Sequence, residues 1–136
     1  MITAVDTSVL LDIFADDVEY RDRSLSAVRR SLGHGQLVAC AVVWSEVVAA
    51  FPDVPSAHQA LHGIPVAYSP VEIAAASRAG IAWRAYRRAG GPRDRIVADF
   101  LVGAHAIEQA DRLLTRDRGF QRTAFAGLTI IDPTQT

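Results

Sequence analysis

An α/β fold built on a mostly parallel β-sheet flanked by helices is what this sequence predicts, and three observations predict it. Short runs of β-formers alternate along the chain with amphipathic stretches of helical period. The first of these runs, Ile2-Thr3-Ala4-Val5, ends in Asp6 directly ahead of an apolar stretch that fits a helix. With 136 residues, 50% of them hydrophobic, the chain closes one sizeable core and has no room for a second, so residues 1–136 are expected to form a single domain.

Taken in order, the first strand runs to Asp6, and Thr7 and Ser8 are the expected caps of the helix that follows. Asp6 then stands at the carboxyl end of a strand, the edge at which open α/β sheets bind ligands. Read alone, it serves equally well as a helix-capping residue. Tyr20, Leu25, Val28 and Leu32 give residues 18–33 a helical apolar face, which Gly33 and Gly35 end. A strand over residues 37–41 runs into a helix over residues 43–51 whose only charge is Glu46. Burying that carboxylate requires a donor or cation from elsewhere in the fold; the alternative is that it faces solvent. Pro52, Pro55 and Gly63 bound a short helix carrying His58 and His62, which lack a third metal ligand and are expected on the surface.

Residues 64–68 suggest another strand, followed by a long helix from Ser69 or Pro70 to Ala89 with Ile73, Ala76, Gly80 and Trp83 on one side. Arg84, Arg87 and Arg88 share a second side, and Arg93 and Arg95 follow the Gly90-Gly91-Pro92 break. This patch suits a phosphate backbone, although a solvated helix face is the other reading. A helix over residues 94–110 buries Ile96, Val97, Phe100, Leu101, Ala104 and Ile107. Asp99 lies at the margin of that stripe, with Gly103 and Ala106 expected to leave room above it for an ion, and His105 on the opposite, solvated face. The strand at residues 112–115 ends in Arg116-Asp117-Arg118-Gly119-Phe120, which gives Asp117 the same kind of position as Asp6. A last strand spans residues 128–131.

Composition removes several chemistries. All fourteen basic residues are arginine, so lysine nucleophiles, Schiff bases and the lysine of a phosphate-binding loop are excluded. Cys40 is the only cysteine and lies in an apolar run, which reads as a small buried hydrophobe and excludes both an intramolecular disulfide and a thiolate cluster. The net charge of −1 says little about partners. No apolar run approaches the length of a membrane span, and a soluble, cytoplasmic protein is expected.

Asp6, Glu46, Asp99 and Asp117 thus all fall at carboxyl ends of strands or in the helices beyond them. Acids converging at one sheet edge repel each other unless a cation is present. Oxygen-only ligands favour a hard ion, Mg²⁺ or Mn²⁺.

In this ordered set, Asp6-Thr7-Ser8-Val9-Leu10, the isolated Glu46, the Asp99-to-Ala106 helix segment and Leu114-Thr115-Arg116-Asp117-Arg118-Gly119-Phe120, the chain resembles the PIN-domain nucleases, and more narrowly the VapC toxins of bacterial toxin–antitoxin pairs. The resemblance spans essentially the whole sequence. It implies a PIN fold and a Mg²⁺- or Mn²⁺-dependent endoribonuclease that cleaves RNA with a metal-activated water. Asp6, Glu46 and Asp99 would be the acidic triad and Asp117 the fourth catalytic and metal-binding acid, with Thr7, Ser8 and Thr115 as supporting hydroxyls. Arg84, Arg87, Arg88, Arg93, Arg95, Arg116 and Arg118 would hold RNA. A VapB-like antitoxin and a homodimer are also implied, the latter in keeping with more apolar helix surface than one sheet covers. Ala110-Asp111 departs from the family, which commonly turns the chain with a glycine there. Two other readings are a non-catalytic PIN-fold binding or scaffold protein, which usually lacks one or more of the acids, and a DNA-directed structure-specific nuclease.

Overall fold

The computed structural model describes residues 1–91, 97–117, 119 and 125–135. Strands Ile2–Val5 (β1), Gln36–Ala39 (β2), Val66–Tyr68 (β3), Arg112–Leu114 (β4) and Ile130–Ile131 (β5) form one sheet in the order β3-β2-β1-β4-β5, with every pairing parallel. The inner strands β2, β1 and β4 are buried over most of their length, which is why they read as apolar runs without alternation, whereas β3 at one edge leaves Tyr68 51% exposed. Helices Thr7–Phe14 (α1), Arg21–His34 (α2), Ala41–Ala49 (α3), Val54–Gly63 (α4), Ile73–Arg88 (α5) and Val97–Gln109 (α6) connect them. β1 lies at the centre, with β2 and β3 to one side and β4 and β5 to the other. The connections therefore leave β1 and β4 in opposite directions, and the crevice beyond their carboxyl ends is a topological switch point.

Close backbone approach fixes the amino edge. A Cβ at Gly35 would collide with the Met1 carbonyl oxygen, which accepts the Gln36 amide at 2.9 Å. The Ala110-Asp111 turn is closed without glycine: the Asp111 amide donates to the Ile2 carbonyl at 2.8 Å, and its carboxylate accepts the Ile2 amide at 2.6 Å.

Helix faces depart from the sequence reading in two places. On α5 the buried residues are Ala75 and Ala79, while Ile73 is 86% exposed. Small side chains there allow α5 and α6 to pack closely. On α6 five consecutive residues, Val102 to Ala106, are buried while Val97 is 44% exposed. A helix covered on several sides has no single apolar stripe, so periodicity misplaces its members. His105, expected in solvent, is accordingly 1% exposed, with its Nε2 2.8 Å from Ser69 Oγ. Nor does Gly103 leave space for an ion. A Cβ there would lie 2.7 Å from the Phe125 ring, which fills the gap and sits 5.7 Å, centroid to centroid, from Phe100.

Gly103→Ala should cost about 1–3 kcal/mol in overpacking against Phe125 and regain roughly 1 kcal/mol in helix propensity, so denaturant titration should show a net change between about zero and a loss of about 2 kcal/mol, and a clear gain would show that the ring can move aside. Burial holds the His105 pKa below its ordinary value, opposed by the Glu72 charge. As pH falls below the unfolded value of about 6.5, the unfolded chain takes up the proton first, and stability is lost. The melting temperature of the wild type should therefore fall more steeply between pH 7 and 5 than that of His105→Gln; parallel profiles would show that this histidine is not held neutral.

Candidate active site

The ladder of the sheet continues one residue past β1 and β4. The Asp6 amide donates to the Leu114 carbonyl at 2.9 Å, and the Thr115 amide to that of Ile131 at 3.0 Å. Asp6 and Thr115 are thereby fixed side by side at the carboxyl edge. Asp6 itself, rather than Thr7 or Ser8, caps α1: its backbone is extended and its Oδ1 accepts the Thr7 amide at 2.8 Å. The two roles foreseen for Asp6, helix cap and sheet-edge acid, are thus compatible. Its other oxygen, Oδ2, accepts the Thr115 hydroxyl at 2.6 Å.

These contacts spread to the other acids. The Thr7 hydroxyl donates to Glu46 Oε1 at 3.0 Å, so the lone charge of α3 has found its donor while its residue stays exposed at the rim. The Asp117 amide donates to Thr115 Oγ1 at 2.9 Å, and Asp117 Oδ1 accepts the Gly119 amide at 2.9 Å. Ser8 Oγ accepts the Arg116 amide at 3.4 Å. All three hydroxyls singled out in the sequence are thus engaged here. Asp99 enters from the first turn of α6, half-buried, on a helix that packs against β1, β4 and α3.

Electrostatics agree with the crowding of three of the acids. Burial pushes the Asp6 carboxyl up from its ordinary range, and the charges of Asp117 and Glu46 push it further, against the lowering effect of the Thr115 and Thr7 hydrogen bonds. Among the described residues no three His, Cys, Asp or Glu side chains stand together as a ready-made cage for an ion. A hard divalent ion does not need one: Mg²⁺ is commonly held by one or two carboxylates and several waters. The donor set fits such an ion, being carboxylate and hydroxyl oxygen throughout.

Of the arginines, Arg84, Arg87 and Arg88 are exposed on α5 and, with Trp83, line a surface depression of about 500 Å³; the Arg87 guanidinium lies 4.8 Å from the centre of the Trp83 ring. Arg93, Arg95 and Arg118 lie outside the described residues. Arg116, expected to face RNA, instead turns its guanidinium to Asp12, with Nε 2.7 Å from Oδ2 and Nη2 2.8 Å from Oδ1. Asp12 was missed in the sequence although its signal was the one used for Glu46, a lone charge within the apolar run Val9 to Phe14.

Compared with protein families, residues 3–126 match the PIN domain. A search of curated proteins by sequence returns no match. Solved structures that share the fold include VapBC2 from Rickettsia felis bound to a promoter DNA fragment (TM-score 0.74, 16% identity, 97% of this chain and 98% of the other). FitAcB from Neisseria gonorrhoeae aligns over 100% of both chains, with a TM-score of 0.71 and 18% identity. VapC20 from Mycobacterium tuberculosis, a sarcin–ricin loop cleaving toxin, aligns over 90% of this chain and 95% of its own, with a TM-score of 0.61 and 15% identity. With its parallel sheet order and a family match over residues 3–126, nearly its whole length, the chain belongs to the PIN domain family.

Proposed function

We propose that this protein is a Mg²⁺- or Mn²⁺-dependent endoribonuclease, the toxin of a toxin–antitoxin pair acting in the cytoplasm. The observation that carries this reading is the cluster at the end of β1, where buried Asp6 is linked through Thr7 to Glu46 and through Thr115 to Asp117. Such a carboxylate gains from a cation, and the all-oxygen surroundings favour a hard one. In support of RNA as substrate, a structural neighbour is a sarcin–ricin loop cleaving toxin. VapBC and FitAB complexes among the neighbours support an antitoxin partner of VapB type, and we extend the reading to a homodimer.

Asp6 and Asp99 would hold the ion, with Glu46 and Asp117 acting through water. When bound, a divalent ion supplies a water nucleophile at neutral pH and offsets charge on the scissile phosphate. The chain's own residues do the positioning. Thr115 and the Thr7 amide fix both oxygens of Asp6, and the Thr7 hydroxyl aims Glu46. The acids repel RNA, so positive charge must offset them, and exposed Arg84, Arg87 and Arg88 are suited to backbone phosphates. Trp83, beneath Arg87, offers a stacking surface for an unpaired base.

Purified protein should cleave RNA with Mg²⁺ or Mn²⁺ and stop in EDTA. Asp6→Ala and Asp99→Ala should each reduce the rate by more than about a hundredfold, the upper end of what removing an outer-shell partner costs. Wild-type rates in either variant would remove that residue from the site.

A thermal measurement tests the cluster without the right RNA. Because the folded pKa of Asp6 is raised, its charge costs stability at neutral pH, and the cost disappears as pH falls through that pKa. Asp6→Asn keeps an oxygen for the Thr7 amide and should melt above wild type at pH 7 in EDTA, with the gap closing toward pH 4. Mg²⁺ should raise the wild-type melting temperature and the variant's much less. Equal Mg²⁺ shifts would overturn the assignment of the ion to Asp6.

A further inference from the structure

We propose that Arg116 is a positioning residue that sets the Thr115–Asp117 segment against Asp6 by way of its clamp on buried Asp12. The proposal rests on the nuclease reading above and assigns a function to a pair of residues that the acidic cluster does not include.

The clamp joins parts of the chain far apart in sequence. Asp12, at the end of α1, is 3% exposed, and both its oxygens accept from the Arg116 guanidinium. Its Oδ2 also accepts the Ser24 hydroxyl of α2 at 2.7 Å. The guanidinium carbon lies 3.9 Å from the centre of the Tyr20 ring, so the planar group is bonded along its edge and stacked on a face. An arginine meant for a nucleic acid backbone keeps its fork free; this one commits two of its nitrogens to Asp12 while its side chain stays 27% exposed. Lysine has neither the fork nor the flat face.

What the clamp fixes follows from its neighbours. Thr115 precedes Arg116 and donates to Asp6; Asp117 follows it, and its amide donates to Thr115. The backbone of Arg116 itself donates to Ser8 in the first turn of α1. Both neighbours thus depend on the path of a residue whose side chain is anchored to the two helices after β1. An ion pair with one buried partner is weak evidence for net stability; its better-attested use is to select one geometry. Here the geometry selected is the distance of Asp117 and Thr115 from Asp6.

The test compares wild type with Arg116→Lys and Asp12→Asn, each with and without Asp117→Ala. It measures the Mg²⁺ concentration for half of the full melting-temperature shift, and kcat and KM for RNA cleavage. If Arg116 positions Asp117, Arg116→Lys and Asp12→Asn should each raise the half-point by roughly tenfold or more, the scale of outer-shell losses, with KM within about twofold. In the Asp117→Ala background neither should add a further change, because residues that act as a unit are not additive. An unchanged Mg²⁺ half-point with a raised KM would overturn the proposal and make Arg116 an RNA contact. Full additivity with Asp117→Ala would also overturn it, since the clamp would then act elsewhere. Wild-type protein that neither cleaves RNA nor responds to Mg²⁺ would overturn the nuclease reading and this proposal together. A Mg²⁺-responsive wild type beside equally responsive variants would overturn the positioning role alone.

Discussion

The carboxylate of Asp6 is held at the end of the central strand by the Thr7 amide on one oxygen and the Thr115 hydroxyl on the other. Much of the molecule is arranged around that requirement. A buried carboxylate must be satisfied by donors, and these two come from the helix that follows β1 and from the strand beside it. Satisfying Asp6 therefore also sets where α1 starts and how β4 is registered on β1, with Ala4 beside Leu113 and Val5 beside Leu114. The burial that makes the bonds necessary also raises the Asp6 pKa, which leaves the fold with an acid that favours a cation or a proton.

Around this centre, the hydroxyls relay geometry from one acid to the next. Thr7 links Asp6 to Glu46 through its amide and its side chain, and Thr115 links Asp6 to Asp117 in the same way, with its hydroxyl donating to one and accepting from the other. Each threonine thus occupies a junction where a serine would give the same bonds with a less restricted side chain. The rigidity of the arrangement comes from the parallel sheet, because residues directly beyond adjacent strands inherit their spacing from the ladder. Asp12 and Arg116 extend the same logic outward, tying the segment after β4 to α1 and α2.

The helical layer above α6 shows a different constraint. Phe125 packs over Gly103 and beside Phe100, and the glycine is there because any side chain would collide with the ring. Small residues on α5 and α6 permit close helix packing, and that packing encloses His105, whose ring reaches Ser69. Apolar side chains displaced from the buried face, Ile73 and Ile81, are left at the surface of α5.

The sequence by itself determined the fold class and the order of strands and helices, and it marked the acids of the candidate site. Those features are local: strand runs are short and apolar, helical stretches repeat their apolar residues at helical spacing, and a carboxylate at a strand end is visible as a single charge after a β-forming run. The positions of Asp6 and Asp117 were legible for that reason, and Glu46 because it interrupts an otherwise apolar helix. Only the tertiary structure decided which way helix faces point where a helix is covered on several sides, as for His105, Val97 and Ile73. It also decided that the room beside Gly103 belongs to Phe125, and that Arg116 answers to Asp12 across 104 positions of sequence. Pairings at that separation depend on which strands become neighbours, and no local pattern encodes the partner. The sequence marked the charges; the sheet order, by placing β4 beside β1, determined which of them meet.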